Sequence, residues 1–205
     1  MRRERHDADG SLVALEVEPA TDADHREAEA AGLVLVRDVL QLRVALPLSV
    51  TSALATRPFV PGTDDLALLE VNNRAFAWHP DQSGWTVEHL RARCAEDWFD
   101  ADGFLLHEVD DRLVGFCWTK VHPATGDDPA MGEIFVIGVD PDAHGRGLGR
   151  ALTIAGLAHL ASLGLRIGML HVEHDNVPAR RLYDSLGFTV HDHHCWWRAA
   201  DGTTS

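Results

Sequence analysis

The stretch GEIFVIGVDPDAHGRGLGRALTIAGLAHL, residues 132–160, decides how the whole chain is read. It opens with an apolar run broken by one acid, Glu133, which predicts a strand over 132–139. Asp140-Pro141 ends that strand, since proline brings no backbone N–H to a ladder. The loop His144-Gly145-Arg146-Gly147-Leu148-Gly149 then leads into an apolar-faced helix predicted over 151–163 and closed by Gly164. Glycines in such a turn let backbone N–H groups approach an anion, and the helix N-terminus adds partial positive charge. The local charge has the right sign, because residues 144–181 hold five arginines against Glu173 and Asp175. The same loop also fits a turn that binds nothing. A Walker phosphate loop is excluded, as no Gly-Lys-Ser/Thr follows. A Rossmann site fits poorly, because that pattern wants its glycines after the first strand of a domain.

Working outward, residues 22–31 predict a helix capped by Asp22 or Asp24 and stopped by Gly32, followed by a strand over 33–46. Pro47 and the Ser/Thr-rich run 49–56 read as a linker. A helix capped by Asp64 or Asp65 follows over 66–77, and another over 86–98. Strands are predicted over 103–109 and 113–121, joined by a turn at Asp110-Asp111. Beyond the glycine loop come a strand over 166–173, a helix over 177–186 stopped by Gly187, and a strand over 188–198. This order defines an α/β (α+β) class, a sheet flanked by helices. The two helix–glycine–strand segments around Gly32 and Gly187 echo each other, too briefly to establish duplication.

The chain has 205 residues, 45% hydrophobic and 24% charged, a globular composition. It lacks the ~18 uninterrupted apolar residues of a membrane helix, and MRRERHDADG has no apolar core to act as a secretory signal. A cytoplasmic protein is expected. A net charge of −14 argues against nucleic acid or an anionic membrane as a partner held by bulk attraction. Cys94, Cys117 and Cys195 form no CxxC pair, so reduced thiols are expected rather than disulfides or a zinc ribbon. Lys120 is the only lysine and Tyr183 the only tyrosine.

VIGVDPDAHGRGLGRAL resembles motif A of the GNAT acyltransferases, whose pattern is Gln/Arg-x-x-Gly-x-Gly/Ala, with His144 in the Gln/Arg slot. Downstream, EHDNVPARRLYDSLGF resembles motif B of the same family. Asn73, Phe76, WHPDQSGW, WFDADG, FCWTKVHP and GEIFVIGVDP narrow the likeness to the C-terminal half of the mycothiol synthase family, over roughly residues 55–190. Those enzymes carry two GNAT domains and use acetyl-CoA to acetylate the cysteinyl amine of desacetylmycothiol, a small-molecule acceptor. The resemblance implies the GNAT fold, a mixed central sheet flanked by helices, with acetyl-CoA as co-substrate.

It also implies roles for particular residues. Glu133 becomes the general base, direct or through water, and Tyr183 the general acid that protonates the leaving CoA thiolate. An α-amine with pKa of about 7.7–8.0 is already roughly one-tenth neutral at pH 7, so deprotonation alone gives at most ~10-fold. A phenol near 10 can protonate a thiolate whose thiol titrates near 8.5. Ile137, Gly138 and Val139 are expected to offer backbone groups to the pantetheine arm. His144, Gly145, Arg146, Gly147, Leu148, Gly149 and Arg150 are expected to cradle the pyrophosphate. Asn176, Val177, Pro178, Ala179, Arg180 and Arg181 flank the same arm. Asp81 and Lys120 match positions that contact the sugar–cysteine substrate, and His171 stands where the family places a substrate-contacting Tyr.

From the residues alone, plainer readings stand beside these. Glu133, on the face that strict alternation shares with Phe135, Ile137 and Val139, also fits an idle carboxylate at a sheet end. Tyr183, beside Ala179, Leu182 and Leu186 on its helix, also fits a core aromatic. Asn176 equally fits a helix N-cap, and Asp81 and Lys120 fit solvated charges. His191, His193 and Cys195 share one strand face and could supply three metal ligands, but no further ligand group stands out and no metal is assigned. Of Trp196 and Trp197, on alternate faces, at most one is buried by the sheet.

The likeness divides the chain into residues 1–48, read as the last helix and strand of an N-terminal GNAT-like domain, a linker over 49–56, and a catalytic domain over 57–200. Residues 33–46 are then expected to expose apolar surface and to favour self-association.

Overall fold

The computed structural model describes residues 1–77, 83–126 and 128–200, and the chain divides into two compact units. The first joins residues 1–44 to the chain from Leu170 onward, and the second spans 45–169.

In the first unit, β1 (Arg2–His6) and β2 (Leu12–Val17) form a hairpin that no sequence pattern announced, because all five residues of β1 are exposed. Its turn is tied by the Asp7 carboxylate, which accepts the Ser11 N–H at 3.0 Å. Helix α1 (Asp22–Ala30) is capped by Thr21, with Asp24 completing a reciprocal capping box. This corrects the aspartate cap expected from sequence, and Gly32 stops the helix region in a left-handed conformation (φ 71°). Strand β3 (Leu33–Ala45) follows. The C-terminal part of the unit carries α5 (Val177–Asp184) and β9 (Thr189–Ala199), named by their order in the chain. Strand β9 lies between β2 and β3, antiparallel to both. Leu15, Val17, Ala28, Leu33, Cys195 and Trp197 form its core, and Trp197 is buried while Trp196 is only half-buried. Val34, Leu35 and Val36 of β3 are exposed.

The second unit holds β4 (Arg57–Pro58), α2 (Asp65–Ala75), α3 (Val87–Cys94), β5 (Phe104–Val109), β6 (Arg112–His122), β7 (Met131–Val139) and α4 (Leu148–Ser162). Strand β8 (Ile167–Glu173) returns the chain to the first unit. Strands β4 to β7 form an antiparallel meander, and the β5–β6 turn places Asp110 and Asp111 at positive φ. Helix α3 is shorter than its pattern suggested: it ends at Cys94, and Trp98 and Phe99 pack against the core. On that face of the sheet Phe104 stacks on Phe59 at 4.5 Å and on Trp118 at 4.3 Å, with Leu68, Leu69 and Val71 of α2 and Leu90 of α3 in the same cluster. Helix α4 covers the other face at close range, Gly156 against Cys117 and Leu160 against Gly132. Among the described residues no helix is long and apolar enough to cross a membrane.

Candidate active site

Strand β7 delivers the chain to the glycine loop through a buried anchor, Asp140, which is 1% exposed. Its carboxylate accepts the Asp142 N–H at 2.9 Å and pairs with Arg112 at 2.9 Å and Arg74 at 3.1 Å. These partners hold a single 3-10 turn, Pro141–Ala143, at the strand end. A buried carboxylate is tolerated there because it is paired on several sides. Gly145 and Gly147 then adopt φ of 76° and 73°, values that favour glycine, and Gly147 is the N-cap of α4. The helix starts three residues earlier than expected, so Leu148, Gly149 and Arg150 form its first turn. The Ala151 N–H bonds to the Gly147 carbonyl at 3.1 Å. The amides of residues 148–150 therefore precede the helical ladder and point out of its N-terminal end. His144, Gly145 and Arg146 are exposed. His144 folds back, its Nε2 lying 3.0 Å from the Val139 carbonyl oxygen. Arg146 lines a cavity of about 310 Å³ together with Arg112, Asp140 and Asp142.

Glu133 lies near the Met131 end of the β6–β7 ladder, directly opposite Lys120, and is 7% exposed. The face it shares differs from the one strict alternation predicts. The register shifts between Trp118 and Thr119, which pair with Val136 and Ile134 and leave Phe135 as an extra residue. Beyond this bulge the faces of β7 invert. Ile137 pairs with Cys117 and Val139 with Gly115, residues that face Gly156 and Leu152 of α4. Glu133 instead shares its face with Phe135, Val136 and Gly138, on the side of Trp98 and Trp118. There its Oε2 lies 2.8 Å from Nε2 of His122. The Lys120 ammonium sits over the rings of Trp98 and Phe135, 4.5 and 5.4 Å from their centroids, a cation–π arrangement. His122 and Trp98 were not singled out from sequence. The spacing Lys120-x-His122 was the available signal, since it puts both side chains on one strand face.

In the first unit, Asn176 caps α5, its side chain accepting the Ala179 N–H at 3.2 Å, with Pro178 in the first turn. Arg180 donates to the His174 carbonyl at 2.7 Å. Val177, Arg180 and Arg181 line a cavity of about 500 Å³ with Phe188. Tyr183 is buried on α5 with its ring 5.6 Å from that of Phe188. His171 is exposed on β8. Asp81 lies outside the described residues.

The histidine-rich strand converges differently from the sequence reading. A register shift at His191 leaves it out of the β3–β9 ladder. The residues that meet are Asp38, His193 and Cys195, whose ligand-type atoms lie within 4.8 Å of one another. The Asp38 carboxylate is 3.3 Å from His193 Nδ1 and 3.6 Å from Cys195 Sγ. Burial, reinforced by Asp38, pushes the Cys195 thiol up to about 12, so the proton that donates to Asp38 is retained.

A strand that ends on an anchored turn, two left-handed glycines and a helix with outward amides form a site suited to an anion such as a pyrophosphate. Residues 70–188 match the model of the Acetyltransferase (GNAT) family, and the chain belongs to that family. It is similar to mycothiol acetyltransferase from Thermomonospora curvata, 54% identical over 168 residues that cover 79% of this chain and 55% of that one. It is 49% identical over 177 residues to mycothiol acetyltransferase from Kocuria rhizophila, covering 81% and 58% of the two chains. The chain thus spans a little over half the length of these curated relatives. The crystal structure of a GCN5-related N-acetyltransferase from Sphaerobacter thermophilus is similar with a TM-score of 0.70 at 25% identity, covering 94% of this chain and 64% of that one. The α/β class expected from the order of elements and the GNAT fold implied by the resemblance are the fold of this chain.

Proposed function

We propose that this chain transfers the acetyl group of acetyl-CoA to the cysteinyl amine of the mycothiol precursor, desacetylmycothiol. The observation that carries the reading is that one strand, β7, bears the buried carboxylate of Glu133 and runs directly into the glycine loop. The similarity to two mycothiol acetyltransferases supports this acceptor. In this reading the amides at the start of α4, with Arg146 and Arg150, hold the pyrophosphate. Ile137, Gly138 and Val139 hold the pantetheine arm, and Asn176 to Arg181 flank it. Glu133 takes a proton from the amine as its nitrogen attacks the thioester carbonyl. The tetrahedral intermediate collapses with cleavage of the C–S bond, and Tyr183 gives its hydroxyl proton to the departing thiolate. Amide and free CoA result, and both side chains reset by proton exchange with water. Lys120 and Asp81 contact the sugar–cysteine acceptor, and residues 57–200 form the catalytic domain.

Loss of thioester absorbance, followed with acetyl-CoA and desacetylmycothiol against a panel of other amines, tests this. Turnover specific to the cysteinyl amine is expected. Turnover only on other amines overturns the acceptor, and binding of acetyl-CoA without turnover on any amine overturns the activity. One observation favours another amine: His171 replaces the Tyr of the mycothiol synthase pattern. The exposed run Val34-Leu35-Val36 is proposed to favour self-association, and a monomer by light scattering at high concentration would count against it.

A further inference from the structure

His122 has no part in the chemistry described so far, yet its imidazole contacts the Glu133 carboxylate. Strand pairing puts His122 opposite Met131, two residues before Glu133, so the imidazole reaches the carboxylate along the ladder diagonal. Nε2 and Oε2 are 2.8 Å apart, and the two side chains are 31% and 9% exposed. Lys120, directly opposite Glu133, has its ammonium over the Trp98 and Phe135 rings. We infer that His122 is a positioning residue for acetyl transfer: its Nε2–H fixes Oε2 of Glu133 and so holds the carboxylate in one orientation for proton transfer from the incoming amine. This rests on the reading of Glu133 as the base. A buried carboxylate that can rotate samples orientations in which proton transfer is poorly aligned, and a neighbour that locks its rotamer removes them.

The test is a double-mutant cycle on the full chain, with kcat and the KM for acetyl-CoA measured for H122L, H122Q, E133Q and H122L/E133Q. H122L is expected to lower kcat by about 10- to 100-fold, a cost in line with small misplacement of a reacting group, and to leave the KM for acetyl-CoA within about twofold. The amide of H122Q can donate from nearly the same place as Nε2, so it should restore kcat to within about fivefold of wild type. If His122 acts through Glu133, the double variant is no slower than E133Q alone. Wild-type turnover by H122L, or a double variant whose loss is the product of the two single losses, overturns the inference. E133Q at wild-type activity overturns the base reading itself, whereas an impaired E133Q beside an unimpaired H122L overturns only the role of His122. Should H122L fail to fold, as judged by circular dichroism, H122N takes its place in the same cycle, since its shorter amide does not reach Oε2.

Discussion

The ring of His144 turns back onto its own strand, its Nε2 lying 3.0 Å from the carbonyl oxygen of Val139. The residue in the Gln/Arg slot of the glycine motif therefore ties the loop to the end of β7, where Asp140 anchors it from the other side. Removing that tie in H144A should loosen the loop without touching the reacting groups. A hydrogen bond of this kind is worth about 0.5–1.5 kcal/mol, so the KM for acetyl-CoA is expected to rise about 3- to 10-fold with kcat nearly unchanged. Steady-state kinetics at saturating amine reads both values.

As the proposed base, Glu133 would matter most where the amine is protonated. An amine titrating near 8 is roughly one-tenth neutral at pH 7 and mostly neutral at pH 9. E133Q is expected to lose about 10- to 100-fold in kcat/KM at pH 7, of which the share due to deprotonation, at most about 10-fold, disappears as pH rises to 9. A deficit independent of pH would assign the loss to positioning rather than proton removal.

Tyr183 is buried against Phe188, so Phe in its place keeps the packing and removes only the hydroxyl. Y183F is expected to lower turnover by about 100- to 1,000-fold, while acetyl-CoA binding, measured by calorimetry, persists. Unchanged turnover would remove Tyr183 from the chemistry.

Helix α4 reaches the sheet because Gly156 has no side chain. A Cβ there would stand 2.5 Å from Cys117 Sγ and 2.7 Å from Ile134 Cδ1. G156A should cost about 1–3 kcal/mol through overpacking, less the ~1 kcal/mol that Ala gains over Gly in a helix. Adding C117A should recover part of the loss. Urea denaturation of the two variants measures this.

The Asp64 carboxylate sits 2.7 and 2.8 Å from the Arg57 guanidinium and accepts the Val60 N–H at 2.7 Å. Its hydrogen bonds to Arg57 hold it below the usual aspartate value despite burial. A depressed folded-state pKa contributes stability that is present above the unfolded value and lost as pH falls through the folded one. D64N should therefore cost about 2 kcal/mol at neutral pH, and the gap to wild type should close toward pH 2. Denaturation midpoints at both pH values give the difference.

Much of the architecture could be read along the chain. Strands β5, β6 and β7, the turn at Asp110-Asp111 and the helices after Gly147 and Asn176 lie within a few residues of their expected places. Their signals are local: apolar runs, glycines and caps. The hairpin of β1 and β2 went unread because Arg2–His6 buries nothing and owes its strand conformation to pairing. Thr21, rather than an aspartate, caps α1 because Asp24 bonds back to it, a reciprocity that single-residue preference does not convey.

The sequence by itself determined the glycine loop and its helix, since left-handed φ at Gly145 and Gly147 and the first turn of α4 are set by residues next to one another. It also placed Glu133 on the strand that feeds the loop. Only the tertiary structure decided which way that strand faces. The extra residue at Phe135 turns Ile137 and Val139 toward α4 and leaves Glu133 beside His122. The same holds where Asp38 of β3 replaces His191 in the cluster around Cys195. Register between strands is a non-local balance of hydrogen bonds and packing, and a one-residue slip reverses every side chain beyond it.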